Sequence, residues 1–454
     1  MTTHRAEIVV VGAGYAGLMA ALTLAQAGKD VIVVDAQPIG GNTTPLPGRN
    51  QSSISGGHVT YGYSQDYDDL AQKYGSDYAE ELFALSMRGV DLVEETCRLY
   101  DIKEAAFRRG YILLARNARD EGQLVAALNQ TEKYGHIIGA ERLMGSRETQ
   151  KVIVSPSFQS CALYSSLHGQ IEPQAYIKGL AHAALKQGVR IFGMTPIKHF
   201  RLYAHGASAI SINDTMFTGH RMIVSGGTKI LRAGHFPKMR AYQATVGNYA
   251  VRTTPLPEDT IRQIFPTGYK GAFADLRRAD VLYARLDAQD CIDFGAFSFG
   301  GARPNAHDVE KLLYDTFPQL KATGIGIGHR RYGFLAGTRQ QIVQIFASNR
   351  EGDVTPIRAY NPESRLMVLS AFAAEGINLG TTAGKAAAHA LLGDTAHLNL
   401  LAHIEHPKLP ITFPWERANR IRDLFLARTI SVIDRAASTS GITGVFARAV
   451  ADRI

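Results

Sequence analysis

The chain has 454 residues, of which 45% are hydrophobic and 20% are charged, so it suits a globular protein of two or three domains and not a disordered one. Its 49 basic and 41 acidic side chains leave a formal charge of +8, but no basic block or nucleic-acid motif is present, which argues against DNA or RNA binding. Three scattered cysteines form neither a metal-binding spacing nor a disulfide framework. This pattern favours a reducing compartment, and we predict no metal site.

The N-terminal segment indicates a strand, a glycine-rich turn and a helix. Residues 7–11 are rich in β-branched side chains, and the run Gly12-Ala13-Gly14-Tyr15-Ala16-Gly17 follows directly before a helical stretch at 18–27. A second strand at 30–34 ends in Asp35, followed by Ala36. The uncharged stretch at 8–27 is similar to a signal peptide. Its glycine pattern instead favours a nucleotide-binding turn, and therefore a cytoplasmic protein.

Each part of this pattern has a physical reason in a dinucleotide site. Gly12 permits the tight turn, Gly14 allows a pyrophosphate to touch the backbone, and Gly17 allows the helix to lie close to the sheet. The helix N-terminus offers unpaired amides to the phosphates. Asp35 stands where a carboxylate accepts hydrogen bonds from the ribose hydroxyls. The sequence therefore predicts a dinucleotide-binding site.

The middle of the chain supplies further elements. Residues 67–154 are predicted to be largely helical, with apolar residues at helical spacing over 77–99. Residues 188–197 indicate a strand followed by a bend. We expect the backbone of this segment, including Ile197, to contact the adenine of the dinucleotide. Residues 222–224 form a strand that closes on a glycine pair including Gly226, and residues 231–329 are predicted to form a sheet.

A strand, a glycine turn and a helix recur near the C-terminus and favour FAD over NAD. Residues 365–370 indicate a buried strand, the turn contains Gly376, and an alanine-rich helix continues to Leu392. Such a helix end stabilises the negative charge that develops on a reduced flavin. The only candidate for a second nucleotide motif, at 324–328, is predicted to be a strand because no helix follows it.

The order of several motifs along the chain is similar to that of the D-amino-acid-oxidase-like superfamily of FAD enzymes. The motifs are Gly12 to Gly17 with Asp35, Ser55-Gly56-Gly57-His58-Val59, Gly169-Gln170-Ile171-Glu172-Pro173, Arg252-Thr253-Thr254-Pro255-Leu256, Tyr283-Ala284-Arg285 with Phe294-Gly295, and Glu375-Gly376-Ile377-Asn378-Leu379. Within the superfamily, the chain most resembles the γ-glutamylputrescine oxidase group.

The resemblance implies an α/β fold with a discontinuous FAD-binding Rossmann-type (glutathione-reductase-like) domain and an α+β substrate domain with a mixed or antiparallel sheet. We expect the FAD domain at 1–66, 155–230 and 330–392, the substrate domain at 67–154 and 231–329, and a helical C-terminal segment at 393–454. The FAD-binding residues expected are Gly12, Ala13, Gly14, Tyr15, Ala16, Gly17, Asp35, Ala36, Gly56, Gly57, His58, Ile197, Gly226, Gly376, Ile377, Asn378 and Leu379.

The implied reaction is the oxidation of a C–N bond of a small amine by hydride transfer to flavin N5. Candidate catalytic residues are His58, Tyr61, Tyr249, Arg285 and Tyr332, since aromatic walls exclude water and hold an amine by cation–π attraction. Two roles are open for Arg285, namely binding an anionic substrate group or pairing within the sheet.

Departures from the family pattern modify these expectations. Asn378 stands where related oxidases place a carboxylate-binding lysine, and residues 60–63 lack the related arginine. Residues 335–348 contain no cysteine that could tether the flavin. We therefore expect non-covalent FAD and a substrate without the amino-acid carboxylate, while the electron acceptor, O2 or another molecule, stays open.

Two other function classes remain as alternatives. An insert at 40–55 leaves room for a flavoprotein that acts on or binds a partner protein, such as a maturation factor. An FAD aromatic hydroxylase is the third hypothesis, although Glu375 follows two alanines where those enzymes have a Gly-Asp pair. The arginine-rich residues 415–454 indicate helices that pack on the body, with contact to a membrane surface as the other interpretation.

Overall fold

The structure, a computed structural model, describes residues 2–39, 52–63, 67–134, 139–276, 282–298, 306–338, 343–349, 354–372 and 375–409. Its helices are α1 (Tyr15–Gln26), α2 (Tyr67–Tyr74), α3 (Ser76–Leu99), α4 (Ala118–Tyr134), α5 (Ser146–Val152), α6 (Pro173–Lys186), α7 (Gly227–Ala233), α8 (Glu258–Ile264), α9 (Ala306–Thr316), α10 (Gln319–Ala322), α11 (Asn378–Leu391) and α12 (Ala396–Ala402).

The strands follow the same chain-order numbering. They are β1 (Thr3–Arg5), β2 (Ile8–Val11), β3 (Val31–Val34), β4 (His58–Val59), β5 (Arg108–Leu114), β6 (Glu141–Met144), β7 (Ala162–Gln170), β8 (Arg190–Phe192), β9 (Ile197–Tyr203), β10 (Gly206–Ser211), β11 (Met216–Gly219), β12 (Arg221–Val224), β13 (Gln243–Thr253), β14 (Ala272–Asp275), β15 (Leu282–Leu286), β16 (Ile292–Ser298), β17 (Ile327–Thr338), β18 (Gln344–Ser348), β19 (Thr355–Pro356) and β20 (Leu366–Ser370).

The first sheet is built around parallel strands whose carboxyl ends meet at one edge. Its order is β19-β18-β20-β12-β2-β3-β8, and the strands from β20 to β8 run parallel. All residues of β2, β3 and β20 are buried, because helices and loops cover both faces of a parallel sheet. The segments that begin at Gly12, Asp35, Ser225 and Ala371 therefore leave the sheet at the same edge.

Two helices lie close together on this sheet because both carry small residues where they meet. A β-carbon built on Gly384 of α11 would lie 2.2 Å from the carbonyl oxygen of Ala16 in α1. Only glycine allows the two backbones to approach this closely. The contact brings the first turn of α1 next to the first turn of α11.

The second sheet is mixed, as expected for the substrate domain. Its order is β17-β13-β16-β15-β14-β5-β7-β4, with β6 also paired to β7. Most neighbours are antiparallel, and β14 with β5 is parallel. A phenylalanine-rich core that includes Phe265, Phe273, Phe294 and Phe317 packs this sheet against α8, α9 and α10. A third, four-stranded sheet has the order β1-β11-β10-β9. The predicted α/β fold class with a mixed sheet is confirmed.

Several local predictions agree with the structure, and others need correction. The predicted helix at 77–99 is α3, but residues 67–154 also contain strands β5 and β6. The strand predicted at 324–328 begins only at Ile327, because Gly324 adopts a left-handed φ of 71° after α10. Residues 40–51 of the insert and the tail from 410 lie outside the described residues.

The sheets divide the chain differently from the predicted domains at three places. Strands β4, β7 and β17 belong to the second sheet, whereas we predict residues 1–66, 155–230 and 330–392 to form the FAD domain. The domain boundaries stay a prediction. Among the helices that the structure describes, none is long and apolar enough to cross a membrane.

Candidate functional site

The glycine turn after β2 is shaped by close backbone contacts. Gly12 has a φ of 111°, and a β-carbon on it would lie 2.6 Å from the carbonyl oxygen of Ser225. A β-carbon on Gly17 would lie 1.8 Å from the carbonyl oxygen of Gly12. Gly14 caps α1 without any side-chain hydrogen bond to the helix amides. The first-turn amides are therefore free of side-chain caps, as an anion site requires.

The other residues of this turn have distinct positions. The amide of Ala13 donates to Asp35, the hydroxyl of Tyr15 donates to the carbonyl oxygen of Ser52 at 2.6 Å, and Ala16 lies beneath α11. The Tyr15 side chain is buried and packs 5.8 Å from the ring of Tyr176. A ligand at this turn would meet backbone amides rather than these side chains.

Asp35 is held in place at the end of β3. One carboxylate oxygen accepts from the amide of Ala13 and the other from the amide of Gln37, both at 2.7 Å. Burial raises the pKa of Asp35, and the two amides oppose that shift. The amide of Thr195 donates to the carbonyl oxygen of Asp35 at 2.8 Å, so the segment leading to Ile197 lies against the turn that contains Ala36.

The turn before α11 leaves open space in front of a helix end. A β-carbon on Gly376 would meet no atom of the described residues within 4 Å, and α11 has no side-chain cap. A β-carbon on Gly380 would lie 3.6 Å from Cβ of Tyr15. The N-termini of α1 and α11 are thus neighbours, as one extended dinucleotide requires. The side chains of Ile377 and Leu379 are buried, so these residues offer their backbone.

The Asn378 side chain anchors the structure and does not face a ligand. Its Nδ2 donates to the carbonyl oxygens of Thr60 at 2.7 Å and Ser86 at 2.9 Å, while its Oδ1 accepts from the hydroxyl of Thr382 at 3.2 Å. The residue is fully buried. The side chain that stands at the family's lysine position therefore binds neighbouring protein groups instead of a substrate carboxylate.

The glycine pair before β4 supports His58. A β-carbon on Gly56 would lie 2.4 Å from the Tyr283 ring, and Gly57 has a φ of 81°. Nδ1 of His58 lies 2.9 Å from the Tyr111 hydroxyl, whereas its buried Nε2 has no hydrogen-bond partner in the described part of the chain. Burial, together with the charge of Arg285, lowers the pKa of His58 to about 3. His58 is therefore a neutral imidazole with one nitrogen available.

Of the two roles predicted for Arg285, the structure shows the structural one. Its two terminal nitrogens donate to the carboxylate of Glu172 at 2.7 and 2.9 Å, and its Nε donates to the carbonyl oxygen of Gly56 at 2.8 Å. Arg285 is 3% exposed. Three of its five N–H groups are thus engaged inside the protein, which favours the pairing role, and substrate binding by Arg285 stays a prediction.

The candidate tyrosines fall into two groups. The Tyr61 hydroxyl lies 3.1 Å from the side chains of Thr131 and Glu141, and the Tyr61 ring stacks on His168 at 4.4 Å. The Tyr61 side chain is therefore held by contacts with other protein side chains. Tyr249 and Tyr332 are opposite each other on β13 and β17, with ring centres 6.3 Å apart. The strand register puts these two half-buried rings on the opposite face of the sheet to Tyr283 and Arg285, and Tyr249 packs there against the phenylalanine-rich core.

Three features of the site escaped the sequence analysis. Glu172 was recognised only as part of a motif, Tyr111 was not considered, and Glu375 was used only as a family marker. In the structure the hydroxyl of Thr60 donates to the carboxylate of Glu375. The only signal in the sequence is that an acidic residue directly precedes the glycine of the second helix turn.

Comparisons with known proteins agree with this geometry. The family described as DAO, FAD dependent oxidoreductase, matches residues 7–390. Over 408 residues the chain is 26% identical to Gamma-glutamylputrescine oxidoreductase of Escherichia coli strain K12, covering 89% of this chain and 88% of that protein.

Solved structures support the same fold. Glycine oxidase from Bacillus cereus is similar over 88% of this chain and 99% of its own, with a TM-score of 0.63 and 15% identity. L-amino acid deaminase from Proteus vulgaris is similar over 87% and 96%, with a TM-score of 0.64 and 16% identity. The chain therefore belongs to the DAO family of FAD-dependent oxidoreductases, and FAD is its cofactor.

Proposed function

We propose that this oxidoreductase oxidises a C–N bond of a small amine that carries no neighbouring carboxylate. The proposal rests on the hydrogen bonds of two side chains. Arg285 donates to the carboxylate of Glu172, and Asn378 donates to the carbonyl oxygens of Thr60 and Ser86. Both N–H groups of Asn378 are used in this way, and the guanidinium of Arg285 is already paired with a carboxylate, so neither is a favourable partner for an amino-acid carboxylate. The similarity to an oxidoreductase of gamma-glutamylputrescine also supports an amine as substrate.

The cofactor is proposed to bind without a covalent bond, in a Rossmann-type arrangement. The run Gly12 to Gly17 would hold the pyrophosphate, Asp35 and Ala36 the ribose, and the segment at Ile197 the adenine. The ends of β12, at Gly226, and α11 would flank the flavin. These assignments rest on the uncapped helix ends and on the open space at Gly376.

The protein residues have positioning and water-excluding roles in this proposal. When bound, FAD accepts the hydride that leaves the carbon next to the amine nitrogen, which gives an imine that water hydrolyses. The neutral His58, with its available Nε2, is proposed to contact the cofactor. The buried ring of Tyr283, 5.2 Å from the ring of His58, would help to exclude water there, whereas Tyr249 and Tyr332 lie on the opposite face of the sheet.

The compartment, the electron acceptor and the partners are also part of the proposal. The cysteines Cys97, Cys161 and Cys291 are all free, which supports a reducing compartment such as the cytoplasm. We propose O2 or another small molecule as the electron acceptor, and no nucleic-acid partner. Contact of the C-terminal segment with a membrane surface stays the less favoured interpretation.

An anaerobic screen tests the proposed substrate class. We expect primary or secondary amines without a carboxylate to bleach the visible absorbance of the bound flavin, and the matched α-amino acids to do so at least tenfold more slowly. The pairs should differ only in the carboxylate, for example an alkylamine and the amino acid that gives it on decarboxylation. Faster bleaching by the amino acids would contradict the proposal, as would bleaching by NADPH but by no amine.

A further inference from the structure

A half-buried carboxyl group without a cationic partner among the described residues lies beside the second helix turn. Glu375 directly precedes Gly376, and its backbone is fixed because its amide donates to the carbonyl oxygen of Phe372 at 2.7 Å and its own carbonyl oxygen accepts from the amide of Leu379 at 2.9 Å. Among the described residues, the hydroxyl of Thr60 is the hydrogen-bond donor to its carboxylate, and no ion pair involves it.

The titratable groups that face this carboxyl do not neutralise it. The phenol of Tyr111, on β5, is close enough for the charge of Glu375 to help raise the pKa of that phenol, although burial is the larger cause. His58 lies behind Tyr111 and is neutral. Burial raises the pKa of Glu375 itself to about 7, and the bond from Thr60 opposes that shift.

Two further features indicate that this carboxyl serves a ligand. Partial desolvation makes an unpaired carboxylate costly, and a cation at the same place lowers that cost. A β-carbon on the neighbouring Gly376 would meet no atom of the described residues within 4 Å, so those residues leave room for a ligand next to the carboxylate. The Asn378 side chain, at the start of α11, donates to the carbonyl oxygen of Thr60, and the Thr60 hydroxyl donates to Glu375. These two bonds hold the carboxylate in a fixed position.

We propose that the carboxylate of Glu375 binds the ammonium group of the substrate and takes a proton from it before the oxidation. In this step an N–H bond breaks, an O–H bond forms on the carboxylate, and the amine is left neutral with its electron pair. The inference rests on the proposed function and narrows the substrate to cationic amines. A substrate carboxylate at the same place would be repelled by Glu375.

The first test follows anaerobic flavin reduction by one amine as a function of pH. In the wild type we expect the rate to rise with pH through about 7, as Glu375 loses its proton. Thr60→Val removes the bond that lowers the pKa of Glu375, so the rise should move to higher pH, while Thr60→Ser should keep it in place. Glu375→Gln should remove this rise altogether. An unchanged profile in Glu375→Gln and Thr60→Val would overturn the inference.

The second test measures binding without turnover. tert-Butylammonium has no hydrogen on the carbon next to nitrogen and cannot be oxidised, and tert-butanol is its uncharged counterpart. We expect tert-butylammonium to perturb the flavin absorbance of the wild type and to bind at least tenfold more weakly to Glu375→Gln, with tert-butanol binding unchanged. Equal binding of the cation to both proteins would overturn the inference.

A third measurement separates a folding defect from the role proposed here. An infrared band of a protonated carboxyl should titrate near pH 7 in the wild type and be missing in Glu375→Gln, with the same flavin content in both proteins. Glu375→Asp, which keeps the charge, should bind tert-butylammonium more tightly than Glu375→Gln does. If no amine reduces the wild-type flavin, the proposed function fails, whereas loss of cation binding in Glu375→Gln would still support the carboxylate site.

Discussion

A Gly17→Ala variant is expected to lose its bound FAD and to unfold at least about 3 kcal/mol more easily than the wild type. The added β-carbon would lie 1.8 Å from the carbonyl oxygen of Gly12 and 2.7 Å from Oγ of Ser225. Both neighbours are at the centre of the first sheet, where β2 and β12 end side by side. The helix would have to move away from the sheet, and its amides would leave the phosphate position.

Flavin content after purification and chemical denaturation measure this effect. Gly122→Ala is the matched control, because a β-carbon at Gly122 in α4 meets no atom of the described residues within 4 Å. That variant should keep its flavin and be neutral or up to about 1 kcal/mol more stable, since alanine is the better helix former. A Gly17→Ala protein with a full complement of FAD and wild-type stability would refute the close packing described here.

An Arg285→Met variant is expected to lose about 3–5 kcal/mol of stability. Burial alone would raise the pKa of Glu172, but the hydrogen bonds and charge of Arg285 outweigh it and lower that pKa. Without Arg285 the Glu172 carboxylate has lost its counter-charge, and Asp293, 3.7 Å from the guanidinium and 3% exposed, loses a neighbouring cation. The carbonyl oxygen of Gly56 also loses a donor, so the turn before His58 should loosen.

Denaturation of the flavin-bound protein gives the change in the free energy of unfolding. Glu172→Gln combined with Arg285→Met should recover part of the loss, because the unpaired acid is then gone. Arg262→Met serves as the control, since its pair with Glu258 is exposed and should contribute less than about 0.5 kcal/mol. A loss as small as that control in Arg285→Met would show that the buried pair does not hold the turn in place.

The sequence predicted the first sheet well because its signals are local. The apolar runs at 7–11, 30–34 and 365–370 are strands that parallel packing buries on both faces. Gly12 follows the first of them directly, and the turn after the last contains Gly376. The second sheet was harder to delimit. Strand β7 mixes buried and half-buried positions without a regular alternation, and it pairs with β4, β5 and β6, three elements that lie apart in the chain.

The roles of side chains in the site depend on contacts that local patterns do not contain. Arg285 and Glu172 are 113 positions apart, and Thr60 and Glu375 are 315 positions apart. The sequence showed that Arg285 had two open roles and that Asn378 replaced a lysine. It could not show that both side chains are hydrogen-bonded to protein groups, because those partners come from other elements.

The proposed reaction transfers electrons from an amine to FAD that is held between the N-termini of α1 and α11. Anaerobic titration of the purified flavoprotein with an amine tests it most directly, with the absorbance of the flavin and the carbonyl product measured in the same sample. We expect one equivalent of amine to reduce the flavin fully and to yield one equivalent of aldehyde or ketone. A flavin that stays oxidised with every amine in excess, or that is reduced without a carbonyl product, would contradict the account.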